Sequence, residues 1–287
     1  NPNRQRPDMY VDQLDYVTPL WDMVNRGTLT DSTPFVVPKF NSASGLVGPH
    51  TEGTEPDPGT LTATSQTITP TAVSGKVEIT REAWDQGGNP QLSTIVWRQM
   101  LREYYEDRES AVATFLNTLT AATDIALTTA AADDDLANEV EAAIAALQFV
   151  RGGNRFSAFA VHVDLYKVLA RVKDADGRPL YPQLSPMNAN GTAQPLFRYL
   201  DIAGTRAVPS WALGTSGTAS ANSWLFDPTT VHGWASAPQR LQWDFGATVQ
   251  TANIPQVAYV TVGIWGYTAL ANTNIAGVRQ VTFDPSV

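Results

Sequence analysis

The spacing of apolar residues divides the chain into stretches of different period. Over residues 91–122, Trp97, Leu101, Tyr104, Ala111, Phe115 and Leu119 recur at helical spacing. Gln99, Glu103, Glu106, Asp107, Ser110 and Asn117 take the opposite side, and Pro90 suits a helix start. A helix of about thirty residues is a rod of ~45 Å with one apolar side on which a sheet can pack. A second helix is predicted after Asp133–Asp135, whose carboxylates suit the positive end of the helix dipole. Leu136, Val140, Ala143 and Leu147 share a face, and Gly152-Gly153 closes it. A short strand follows at Phe156–Val163. Asp164 is then expected to cap a third helix carrying Leu165, Val168 and Val172, stopped by the turn Asp174–Pro179.

Alternation of period two marks Phe35–Phe40 and Thr67–Thr80, on either side of a stretch broken by Gly48-Pro49 and Glu55–Gly59. This predicts a long hairpin within 32–80. Arms of about twenty residues would reach ~65 Å, against a radius of gyration near ~19 Å for a compact chain of this length. The tip carries only Leu46, Val47 and Leu61 as large apolar residues, so it builds no core. A hairpin alone is marginal in water, so it needs another surface, and a neighbouring subunit is the natural one. The alternative reading is a long mobile loop. Residues 1–31 are a polar lead with apolar anchors at Tyr10, Leu14, Val17, Leu20 and Trp21. Asn1–Pro7 cannot be a helix interior, so an extended arm is expected, then a short helix or turn near Pro19–Val24. From Leu180 onward the pattern is of loops and strands. Gly214–Ala221 is a small-residue loop, and strands are expected at Leu241–Phe245, Val257–Val262 and Val278–Phe283. Helices and sheet are segregated, so the fold class is α+β.

Composition narrows the function. The chain has 287 residues, 43% of them hydrophobic, enough for one large domain or two small ones. No apolar run reaches the ~18 residues that cross a bilayer, and no leader pattern is read, so no membrane partner is expected. The chain has no cysteine, which excludes disulfides and thiolate chemistry. A formal charge of -9 without a basic stripe argues against sequence-specific nucleic-acid binding. It is compatible with a container whose wall faces packed DNA.

Candidate chemistry is sparse. His50, His162 and His232 lie far apart, without metal-ligand spacing, and His162 reads as a core or surface histidine. Ser216 in Gly214–Gly217 does not form a nucleophile elbow, and no dinucleotide or phosphate loop occurs. Asp174–Gly177 resembles the start of a calcium loop but lacks the ligand repeat, so it reads as an Asx-type turn. Asp133–Asp135 could hold a cation but is read as a helix cap. Glu103, Glu106, Asp107 and Glu109 interleave with Arg98, Arg102 and Arg108, the pattern of a solvated or subunit-facing helix side. No catalytic, cofactor-binding or metal-ligating residue is expected, and the chain is not read as an enzyme.

The order of these elements resembles the tailed-bacteriophage major capsid fold of the Hong Kong 97 type. Val77–Asp85 resembles the strand leading into that family's spine helix. Leu101–Glu109 through Phe115–Asn117 resembles the spine helix itself, and Leu165–Tyr181 the central helix and its turn. Ile264–Tyr267 through Val278–Phe283 resembles the closing strand pair. The resemblance implies an N-terminal arm (1–31), an extended β-hairpin loop (32–80), a peripheral domain with the spine helix (81–123 and 256–287) and an axial domain (124–255). It implies self-assembly as hexamers and pentamers into an icosahedral shell around double-stranded DNA. Portal and decoration proteins would be further partners, and the virion capsid, assembled in the host bacterial cytoplasm, the location. Arg81, Glu82, Arg98, Arg102, Glu106 and Arg108 become candidate intersubunit contacts. Asn1 would be the end left by a maturation protease, or a consequence of how the chain was made.

Two other readings stay open: an encapsulin-like nanocompartment shell with the same fold, and a surface binding module. Some members of the resembled family cross-link a loop lysine to a peripheral asparagine with help from a glutamate. Lys39, Lys76, Asn272 and Asn274 are placed for this, but no glutamate follows Glu141. Boiled particles are therefore expected to run as intact monomers on a denaturing gel; ladders would contradict this.

Overall fold

The structure, a computed structural model, describes residues 17–55, 58–85, 92–120, 122–127, 134–148, 155–173, 176–177, 180–181, 199–214, 221–244 and 259–283. The first half of the chain forms α1 (Pro19–Met23), β1 (Asn25–Thr28), β2 (Phe35–Ser44), β3 (Thr60–Ile68), β4 (Thr71–Thr80), α2 (Arg81–Asp85), α3 (Leu92–Asn117), β5 (Thr123–Leu127) and α4 (Asp134–Gln148). Then come β6 (Ala158–Val161), α5 (Val163–Leu169), β7 (Leu200–Ile202), β8 (Thr205–Pro209), β9 (Ala221–Phe226), β10 (Val231–Ala235), β11 (Gln239–Asp244), β12 (Tyr259–Asn272) and β13 (Val278–Phe283). This is a mixed α+β fold, as the segregated periods predict. No described helix is long and apolar enough to cross a membrane.

Three sheets share the strands. In the five-stranded sheet the long β12 pairs antiparallel with β4 along one edge and with β10 and β11 along the other. Ser236 carries the ladder across the gap between β10 and β11: its N–H donates to Tyr267 O, and its hydroxyl accepts from Tyr267 N. β1 adds in parallel to β10. The six-stranded sheet runs β5-β13-β9-β6-β8-β7, and β2 and β3 form a separate two-stranded ribbon.

The helices cover these sheets according to side-chain parity. Phe159, Val161, Leu225 and Phe283 pack with Leu136, Val140 and Ile144 of α4 and Leu165 and Leu169 of α5. The opposite face, with Ala158, Ala160, Trp224 and Phe226, packs with Val112 and Leu116 of α3 and Leu20 and Trp21 of α1. The first half of α3 reaches the five-stranded sheet, where a Cβ at Gly266 would lie 2.5 Å from Tyr104 Oη and 2.8 Å from Tyr104 Cε2. One helix of about 39 Å therefore spans both sheets.

Several expectations change. The alternating run Thr67–Thr80 is two strands, because Pro70 lacks the N–H a ladder needs and the chain switches sheets there. β3 pairs with β2 while β4 pairs with β12. The hairpin arms are thus ten and nine residues, about 30 Å rather than ~65 Å. α3 ends at Asn117, and its buried residues are Tyr104, Glu109, Val112, Ala113 and Leu116. This stripe is rotated from the expected one because two sheets and α1 press on the helix. The cap of α5 is His162, whose Nδ1 accepts from Asp164 N at 3.2 Å, and Asp164 lies inside the first turn. Val172 is buried beyond the end of that helix. β12 and β13 do not pair with each other but lie in different sheets. Val257 and Ala258 of the strand expected at Val257–Val262 lie outside the described residues, and β12 begins at Tyr259 and runs on to Asn272, through Gly263 and Gly266. Segment 256–287 contributes to both large sheets, and β10 and β11, within 124–255, join β12. Pro90, Asp133, Gly152-Gly153 and the core of the Gly214–Ala221 loop lie outside the described residues.

Gly266→Ala should lower subunit stability by about 1–3 kcal/mol, since the rigid Tyr104 ring must move. Urea unfolding of the purified subunit measures this, and an unchanged midpoint would contradict the packing.

Candidate assembly surfaces and the carboxylate beneath them

Of the buried carboxylates among the described residues, Glu109, Asp164 and Asp227, the first is fully enclosed. Glu109 lies three and seven positions before Val112 and Leu116, on the same buried side of α3, and is 0% exposed. Its Oε1 accepts from Leu20 N at 2.8 Å and from Ser210 Oγ at 3.1 Å, and its Oε2 accepts from Trp21 N at 3.0 Å. The first turn of a helix leaves N–H groups without partners. At α1 the residue in the capping position is Thr18, which makes no side-chain cap bond. Glu109 supplies the missing acceptor from α3. Burial pushes its carboxyl above the ordinary range, while the three donors pull it back. The signal was present in the sequence, because a glutamate in phase with Val112 and Leu116 needs partners when buried. The expected reading as a solvated residue missed it.

The predicted contact residues divide into separate groups. Arg81 Nε donates to Asp85 Oδ2 at 2.6 Å across α2, an exposed pair. Glu82 lies in the same helix, its side chain outside the described residues. Arg98, Arg102 and Glu106 follow one another at four-residue steps on α3, with Arg98 exposed and the other two half-buried. Arg108 points elsewhere, toward α1, with its guanidinium carbon 4.3 Å from the Trp21 ring centroid and 4.8 Å from that of Tyr105. The six residues therefore do not form one patch. His162 is buried at the α5 cap, where burial pushes its imidazole below the ordinary value. Among the described residues no cluster of His, Asp or Glu could hold a metal ion.

Among the described residues the most exposed large apolar side chains lie on the ribbon. Val36 is 58% exposed, Leu46 53%, Val47 94% and Leu61 63%. The ribbon's root is covered, where Phe35, Val37 and Ile68 pack with Trp234, Ala269 and Ala271.

The fold as a whole superposes on solved phage and GTA capsid structures. The capsid of an empty GTA particle computed with C5 symmetry superposes with a TM-score of 0.68 at 13% identity, covering 98% of this chain and 95% of that one. Mycobacterium phage Che8 gives 0.63 at 15% identity over 98% and 96%. Cyanophage P-SCSP1u gives 0.62 at 13% identity over 98% and 92%. At these identities the likeness is one of fold. The family model for phage capsid proteins matches residues 63–278, so the chain belongs to that family. It is a structural major capsid protein and not an enzyme, as the resemblance implied. No curated protein sequence matches it.

Removing the buried acceptor should be costly. Glu109→Ala is expected to destabilise the subunit by about 2–4 kcal/mol, because two backbone N–H groups and a hydroxyl lose their partner. The pH dependence has a definite sign. A carboxyl raised in the folded state contributes fully below its unfolded value, near 4.5, and that contribution falls as pH rises through the folded value. The gap between wild type and Glu109→Ala should therefore be widest at the acid end and narrow upward, as read by urea melts across pH; a gap that widens upward would contradict the assignment.

Proposed function

We propose that this chain is the hexamer- and pentamer-forming subunit of an icosahedral shell enclosing the double-stranded DNA of a tailed phage, built on the Hong Kong 97-type fold. The observation that carries the proposal is the exposed β2–β3 ribbon. Val36, Leu46, Val47 and Leu61 gain nothing by standing in water, and a two-stranded ribbon is not stable alone. Laid across a neighbouring subunit, the ribbon acquires the core it lacks.

In this reading residues 1–31 are the arm and 32–80 the extended loop. The five-stranded sheet with the first half of α3 corresponds to the peripheral domain, and the six-stranded sheet with α4 and α5 to the axial domain. On this reading β10 and β11, which pair with β12, would belong to the peripheral side and β13, which pairs with β9, to the axial side, so that the boundaries at 123 and 256 would shift. Arg81, Glu82, Arg98, Arg102, Glu106 and Arg108 serve contacts between copies. A portal protein and decoration proteins complete the virion, which assembles in the host cytoplasm. DNA is enclosed without sequence-specific contact, in keeping with the charge of -9.

Val47→Asp combined with Leu61→Asp tests this. Both side chains are exposed in the subunit, so its unfolding free energy should move by less than about 0.5 kcal/mol. Shell yield in velocity sedimentation should collapse. Shells at wild-type yield would contradict the proposal.

A further inference from the structure

Between α1 and the middle of α3 lies a cleft of about 360 Å³ lined by Thr18, Trp21, Arg26, Tyr105 and Arg108. The Arg108 guanidinium is stacked against both aromatic rings. Its Nε is buried and has no hydrogen-bond partner among the described residues. The neighbouring carboxylate of Glu109 is already engaged, both oxygens being held by Leu20, Trp21 and Ser210. Asp22 is engaged as well, with Oδ1 3.1 Å from Arg26 Nη1. Asp22 and Glu109 balance the two guanidiniums in charge, but one carboxylate is taken by Arg26 and the other by its three donors, which leaves Arg108 Nε without a partner among the described residues. A guanidinium fixed by ring stacking has already lost its rotamer freedom, so it binds an oxyanion without that ordering cost.

The complementary charge lies on the ribbon. Between Lys39 and Lys76 the sequence has Glu52, Glu55 and Asp57 and no lysine or arginine. Glu52 and Glu55, at the turn joining β2 to β3, are exposed. The tip is thus an acidic point at the end of an apolar ribbon, and the cleft presents two guanidiniums, Arg26 and Arg108, in its lining.

Resting on the shell reading above, we propose that the Arg26–Arg108 cleft of one subunit receives a carboxylate, Glu52 or Glu55, from the ribbon tip of a second copy. The guanidinium forks supply charge-assisted hydrogen bonds in a partly desolvated cleft, where they are stronger than on open surface. The contact would set where the tip lands, leaving the apolar ribbon side chains to supply most of the buried area.

The chain lacks cysteine, so introduced thiols report alone. Removing both long side chains leaves a gap too wide for a disulfide, so a short bismaleimide is the probe. In shells of the full chain carrying Arg26→Cys with Glu52→Cys or Glu55→Cys, it should give dimers and higher ladders on a denaturing gel, with none from Arg26→Cys alone. Intact shells without ladders from either pair, or with links only inside one chain, would overturn the proposal while leaving shell formation standing. Failure of the wild-type chain to form shells would overturn the reading beneath it. A second test does not depend on thiols. Arg26→Glu should speed shell dissociation at least about tenfold, and adding Glu52→Arg or Glu55→Arg should restore the wild-type rate. Faster dissociation without restoration by either exchange would show that another group, such as DNA phosphate, occupies the cleft.

Discussion

One carboxylate holds three parts of the chain together. Glu109 is fully buried and accepts hydrogen bonds from two N–H groups of α1 and from the Ser210 hydroxyl. A five-residue helix has no stability of its own, and its own capping residue does not cap it. Docking α1 on α3 satisfies the helix start and brings Leu20, Trp21 and Val24 into the core beside Val112 and Leu116. The same docking stacks Trp21 on Arg108 and so shapes the cleft between α1 and α3. α1 and the spanning helix are therefore one mechanical unit.

That unit matters because α3 bridges the two large sheets. Its middle meets Gly266 of the five-stranded sheet through Tyr104, and its later turns meet the six-stranded sheet through Val112 and Leu116. Against this framework the ribbon is the exception. It is fastened at its root by Phe35, Ile68 and Trp234, and beyond that Leu46, Val47 and Leu61 stay more than half exposed among the described residues. A single polypeptide has satisfied its interior and left one element incomplete, which is the physical basis for reading the protein as a part of a larger shell.

How much of this could be read beforehand depended on whether a residue's role was local. The spanning helix was legible because its period is set by neighbours three and four positions away. The short helix at Pro19 and the apolar poverty of the hairpin tip were legible for the same reason. The split at Pro70 was misread because alternation continues on both sides of the proline, and only pairing reveals that the strand changes partners. Glu109 was read by its charged neighbours Asp107 and Arg108, whereas its burial is decided by Leu20 and Ser210, about ninety and a hundred residues distant. His162 took the capping role expected of Asp164 because the helix begins two residues earlier than the polar residue suggests, directly after β6. β12 was expected to end at Val262, whereas it continues past Gly266, the opening into which the Tyr104 ring fits.

The central claim is that the ribbon is completed by another copy of the same chain. Electron microscopy of the native particles tests it most directly, at a resolution that traces β2 and β3. The account predicts icosahedral shells containing DNA, with each ribbon lying on an adjacent subunit and Val47 and Leu61 covered by it. Shells in which the ribbon folds back on its own subunit, or stands in solvent with those side chains uncovered, would contradict the account.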